Sequence, residues 1–167
     1  MAKLPRKAMM TYIDASFGGN SPSWFLIGKD VEDMSVELNS DTEQTTNILD
    51  ETTTTDNGYK PTISVDTYKA NPSDGDFYDA IMDIMMNRKT GDACKTKILE
   101  IIVEDTSASS HDAWTEDVIV KPNSYGGATG AISIPYTISF DGNRKAGTAA
   151  LSSATPPVPT FTAASGG

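Results

Sequence analysis

The sequence predicts a mainly β fold: an antiparallel β-sandwich or open barrel with one flanking α-helix, a long inter-subunit loop and extended terminal arms. Three observations carry that expectation. Apolar and polar side chains alternate with period two in about seven or eight short segments, the pattern of half-buried strands. A single segment, residues 77–85, repeats its apolar residues at helical spacing. Between two strand-like segments runs a polar stretch, residues 40–60, far longer than the roughly 2–5 residues that close most hairpins.

Length and charge set the outer limits. The chain has 167 residues, 38% of them hydrophobic, enough for one domain with a core; a domain of this size buries about 68–70% of its unfolded surface. Net charge is −10, from 23 acidic and 13 basic residues. Nucleic-acid binders gain affinity by displacing phosphate counterions with Lys and Arg, so this balance argues against tight DNA or RNA binding and against adhesion to anionic lipid. Cys94 is the only cysteine and His111 the only histidine. An internal disulfide is therefore excluded, and zinc or triad chemistry is hard to assemble. The basic start of the chain is not followed by an apolar stretch, so no secretion signal is expected.

Residues 1–23 read as an N-terminal arm. Lys3, Arg6 and Lys7 place three cations in the first seven residues, Tyr12 and Phe17 offer apolar contacts, and Gly18, Gly19, Asn20 and Pro22 close the segment with turn residues. The main domain is expected over residues 24–151. Trp24 to Ile27 reads as a short buried strand or the approach to one. Residues 33–39 and 61–68 are strands, with Met34, Val36 and Leu38 on one face and Ser35, Glu37 and Asn39 on the other. The stretch between them holds seven threonines and five acids. Threonine favours extended backbone, and the apolar pair Ile48-Leu49 in the middle is a ready anchor. An extended arm that docks on another subunit is one reading, and a mobile solvated loop is the other.

Ser73 or Asp74 is the expected cap of the helix, where Asp74 and Asp76 suit the positive end of its dipole. Phe77, Ile81, Ile84 and Met85 form its buried stripe, Arg88 and Lys89 its last turn, and Gly91 its stop. Residues 97–104 have apolar side chains on both faces and should form a central, covered strand. Residues 105–113 read as a loop and 114–121 as the next strand. From residue 131 to 140, Ile132, Ile134, Tyr136, Ile138 and Phe140 line one face; Ser133, Thr137 and Ser139 lie on the other, and Pro135 requires an edge or a bulge. Asp141-Gly142-Asn143 predicts a turn, Ala146 to Leu151 a returning strand, and residues 152–167 a Pro/Ala/Ser tail.

No catalytic or metal constellation stands out. Gly126-Gly127-x-x-Gly130 leads into a strand, whereas phosphate-cradling loops open a helix. Ser109-Ser110-His111-Asp112 are sequence neighbours that do not converge on one atom. Residues 71–76 lack the closing bidentate Glu of a calcium loop. No enzyme and no cofactor is expected.

Residues 30–39, Asn47-Ile48-Leu49, the Ile63-Ser64-Val65-Asp66 strand and Gly75-Asp76 at the helix start resemble the major tail (tail tube) protein of long-tailed bacteriophages. So do residues 126–135 and the Phe140-Asp141-Gly142-Asn143 stretch running on to Thr148. The resemblance spans roughly residues 28–149 and rests on the order of strands and turns; it departs at Asp50, where a glycine is expected. It implies a fold shared with the tubes of contractile tails and type VI secretion. It also implies hexameric rings stacked into a hollow acidic tube that conducts DNA from capsid to host. Partners would be further copies of the chain, with tail terminator, baseplate or tip and tape-measure proteins. DNA would pass without specific binding, no membrane would be bound, and the setting would be a virion tail assembled in the host cytoplasm.

On this reading Thr45, Thr46, Ile48, Leu49, Asp50 and Glu51 contact the next ring, and Lys3, Arg6, Lys7, Tyr12 and Phe17 are arm contacts. Ser35, Glu37 and Asn39, or Ser133, Thr137 and Ser139, are candidates to face the lumen. The alternative is a monomeric β-sandwich binding or adhesion module that grips a ligand with the Thr-rich loop.

Overall fold

In the computed structural model, residues 3–28, 31–66 and 68–164 are described. Lys29, Asp30 and Thr67, the last within an expected strand, and the first two and last three residues of the chain lie outside them. An eight-stranded antiparallel sheet curls into a half-barrel, with one α-helix packed on it. In chain order the strands are β1 (Met9–Asp14), β2 (Trp24–Ile27), β3 (Val36–Glu37), β4 (Thr42–Thr46), β5 (Thr52–Asp56), β6 (Thr62–Val65), β7 (Lys95–Ile102), β8 (His111–Pro122), β9 (Tyr136–Leu151) and β10 (Pro159–Ala163). The helix, α1, is Asp76–Met86. Lateral order in the sheet is β2-β1-β7-β8-β9-β6-β3, with β10 also on β9, and β4 and β5 pair separately.

Alternation along the strands divides the buried residues into two groups on opposite faces. On one face Ile13, Ile63, Val65, Ile98, Val118, Val120, Tyr136 and Ile138 meet Phe77, Ile81 and Met85 of α1. Phe77 is the keystone: it stacks on Phe25 at 4.3 Å between ring centroids and takes the edge of Tyr68 at 5.0 Å. Aromatic pairs of this geometry contribute about 0.5–1.5 kcal/mol beyond simple burial. On the other face Tyr12, Leu99, Ile101, Ala113 and Ala149 form a smaller core against Trp24, Leu26, Leu151 and Phe161.

Several expectations are corrected. Residues 9–14, read as arm, form β1 inside the sheet between β2 and β7. Tyr12 lies in its own chain's core, and its hydroxyl donates to the Pro157 carbonyl at 2.9 Å. Their apolar side chains are buried on both faces, so no two-residue alternation marks them. The helix cap is neither Ser73 nor Asp74. Asn71 accepts from the Ser73 amide at 3.0 Å and caps a 3-10 turn over Pro72–Asp74, while Gly75, with φ of 67°, leads into α1. Arg88 follows the helix in left-handed backbone at φ 51°.

His111 opens β8, so part of the expected 105–113 loop is strand. Ile132 is exposed and Ser133 only bridges Lys69 and Gly126, so the expected strand starts at Tyr136. Asp141-Gly142-Asn143 does not reverse the chain. Gly142 (φ 98°) and Asn143 (φ 58°) form a bulge within β9. Thr115 faces Lys145, but Val118 faces Phe140, so β9 gains two residues and its in-out alternation resumes in phase. The Pro/Ala/Ser tail returns as β10, whose Phe161 packs on the smaller core.

Candidate assembly interface

The long Thr-rich stretch is not an unstructured loop but a β-hairpin of its own. β4 and β5 pair from Thr42↔Asp56 to Thr46↔Thr52. Asn47 builds the turn: its side-chain oxygen accepts from the Leu49 and Glu51 amides at 2.8 and 3.1 Å. Asp50 takes the left-handed φ of 61°, which suits the glycine expected there. At the root, Asn39 bonds the Lys60 carbonyl at 2.9 Å and Thr62 Oγ1 at 3.1 Å, clamping the two legs.

Every residue of β4 and β5 is exposed, so threonine's β preference and cross-strand pairing hold the hairpin together without a core. Ile48 at the tip is 99% exposed and Leu49 is 72% exposed. Leu38 and Tyr59 at the root are also exposed. A two-stranded hairpin alone is marginal in water, and large apolar side chains gathered on one projection mark a contact surface. Thr45, Thr46, Ile48, Leu49, Asp50 and Glu51 are thus brought together on the end of one arm.

The remaining predicted residues divide. Lys3, Arg6 and Lys7 are exposed, and Arg6 ties the N-terminus to the body by donating to the Met9 and Met34 carbonyls, both at 3.0 Å. Phe17, half-buried, packs against the helix-side core. Glu37, Thr137 and Ser139 share one face of the sheet, joined through the register by Thr62 and Ser64. Ser35 precedes β3, Asn39 serves the hairpin root, and Ser133 lies outside the strand. The shared face is not uncharged: the register also places Lys95, Lys97, Asp117 and Lys121 on it, with Lys97 paired to Asp117 at 3.2 Å.

Sequence reasoning missed a polar knot on the opposite face. Arg144 Nη1 donates to Glu100 Oε1 at 3.0 Å and to Glu116 Oε1 at 3.1 Å, and its guanidinium lies over the Trp114 ring. Burial opposes the guanidinium's charge, but the two carboxylates more than offset this and its pKa is raised. The three residues lie on three adjacent strands, so only the β9 bulge and the register bring them together. Among the described residues, no three His, Cys, Asp or Glu side chains converge as a metal site would require.

No protein-family model matches the chain, and no curated protein matches it. Solved structures do match, among them a chain of "Cryo-EM Structure of an Extracellular Contractile Injection System, PVC sheath/tube terminator in extended state". The TM-score is 0.54 at 12% identity, and the alignment covers 85% of this chain and 95% of that one. The likeness therefore extends over nearly the whole of both chains, and it is a likeness of fold: the curled half-barrel with one helix is an architecture found in the sheath/tube terminator assembly of a contractile injection system.

Proposed function

We infer that the chain is a structural subunit of a tail-like injection apparatus, forming rings that stack into the tube. The observation that carries this reading is the projecting hairpin. Among the described residues it has no packing partner within its own subunit, yet it ends in two bare aliphatic side chains, and a second copy can bury them. An open half-barrel with free strand edges supports the same reading, since edges invite lateral pairing and head-to-tail contacts close into rings or continue as filaments.

The function that follows is passive conduction. Six copies would carry 6 × (−10), a formal charge of −60, which favours passage of phosphate over capture. The face shared by Glu37, Thr62, Ser64, Thr137 and Ser139 is the one we assign to the bore, with DNA as the cargo. Lys95, Lys97 and Lys121 share that face with Glu37 and Asp117, so the repulsion comes from the ring's overall charge and not from the bore lining. The solved-structure match supports a second position for the same fold, a terminator ring that ends the tube.

Sedimentation and electron microscopy of the purified chain separate these readings. A tube subunit grows into long stacks, a terminator stops at single rings, and a binding module stays monomeric. The variant Ile48→Asp/Leu49→Asp should keep the monomer's fold, because both side chains are already exposed, and should lose stacking. Normal tubes from that variant would overturn the hairpin's role.

A further inference from the structure

We propose that the pocket between the C-terminal end of α1 and the end of β8 is a binding site for a phosphate monoester. It holds about 280 Å³ and brings Arg88, Lys89 and Lys121 together, with neither Asp nor Glu in its lining. The chain carries 23 acidic against 13 basic residues, so three cations that converge without a carboxylate run against its general balance.

The backbone singles out Arg88. It is the left-handed residue after the helix cap, at φ 51°, a position that favours glycine. The Lys89 amide closes the motif by donating to the Ile84 carbonyl at 3.0 Å. A left-handed arginine costs stability, and such strain persists where the side chain is put to use. Lys89 pairs with Asp83, and Lys121 Nζ donates to the Lys89 carbonyl at 3.1 Å; Arg88 has no such partner among the described residues. The negative end of the helix does not repel an anion here. Its Asp83 carbonyl takes the Asn87 amide at 3.1 Å, and the Asp83 carboxylate is held by Lys89 and Asn87.

The donor set suits phosphate over carboxylate. A phosphate monoester presents three acceptor oxygens and nearly two charges, and Thr90, Asn123 and Ser124 add neutral donors to the cations. Exposed Tyr125, with Met85 and Pro122, walls the space where the esterified group would lie. The volume falls just below the roughly 300–1,000 Å³ of drug-sized sites, so the ligand is one small unit and not a duplex.

The test titrates inorganic phosphate, adenylate and glutarate into the full-length protein by calorimetry. Both phosphate compounds should bind saturably, adenylate more tightly, and the dicarboxylate about tenfold more weakly. Arg88→Gly separates a ligand role from a structural one. Glycine relieves the left-handed strain, so the variant should melt no lower than wild type while adenylate binding weakens about tenfold. Tyr125→Ala should weaken adenylate and leave inorganic phosphate unchanged. A single-stranded oligonucleotide with a terminal phosphate that matches adenylate makes a nucleic-acid end the source; adenylate binding alone makes it a free nucleotide. Glutarate binding as tightly as phosphate, an unchanged affinity in Arg88→Gly, or no saturable binding at millimolar phosphate or adenylate overturns the site.

Discussion

Replacing Arg144 with Met removes the cation that, among the described residues, pairs with Glu100 and Glu116 in the knot. The two glutamate side chains are 11% and 10% exposed, while Arg144 itself is 44% exposed. Breaking a buried ion pair by deleting one partner costs about 3–5 kcal/mol. Water reaches the guanidinium here, so the lower end applies after screening, about 3 kcal/mol. Loss of packing on Trp114 is included in that figure. For a chain of this length the loss corresponds to a Tm lowered by roughly 6–12 °C. Urea unfolding followed by tryptophan fluorescence is the assay, since Trp114 lies against the substituted side chain. The triple variant Glu100→Gln/Glu116→Gln/Arg144→Met should regain most of the loss, because no buried charge is then left without a partner. A single variant within about 0.5 kcal/mol of wild type would refute the reasoning. So would a triple variant less stable than the single one.

Other expectations are simpler. Thr11 lies opposite Glu100 with a buried hydroxyl that has no hydrogen-bond partner among the described residues, so Thr11→Val should stabilise by about 1 kcal/mol in the same urea assay. A Cβ on Gly147 would sit 2.8 Å from Phe161 Cζ and 2.9 Å from Ala163 Cα, besides meeting the Thr162 carbonyl. Gly147→Ala should therefore lift β10 at a cost of about 1–3 kcal/mol, seen as faster amide exchange at residues 159–163 with the helix unchanged. Burial pushes Tyr12 up to about 12 and raises Tyr68 and Tyr136 further above the ordinary 10.0. The folded state thus keeps protons that the unfolded chain releases. Stability should hold below pH about 10 and fall as pH rises beyond it; a urea midpoint unchanged well above pH 10 would contradict this.

What the sequence revealed depended on whether a segment met one environment or two. The helix was legible because Phe77, Ile81 and Met85 face one core and Ile84 is buried as well, while Asp79 and Asp83 face water. β7 was legible from its long apolar run. β1 was hidden because Ile13 and Tyr12 enter different cores on opposite faces, which erases the alternation that marks a strand. Asp141-Gly142-Asn143 misled because a bulge needs the same positive φ as a turn. β10 carries little apolar signal of its own; what seats it is the missing side chain at Gly147, a residue in another strand. The hairpin's extended character was visible in its threonines, but its reversal hung on one side chain, Asn47, folding onto the amides of Leu49 and Glu51. The Arg144 knot required register, and register was beyond the reach of pattern.

The most direct measurement is an electron micrograph of the purified full-length chain. The account predicts closed rings with a central hole, alone or stacked end to end. A uniform field of 17.8 kDa particles, unchanged as concentration rises, would contradict it.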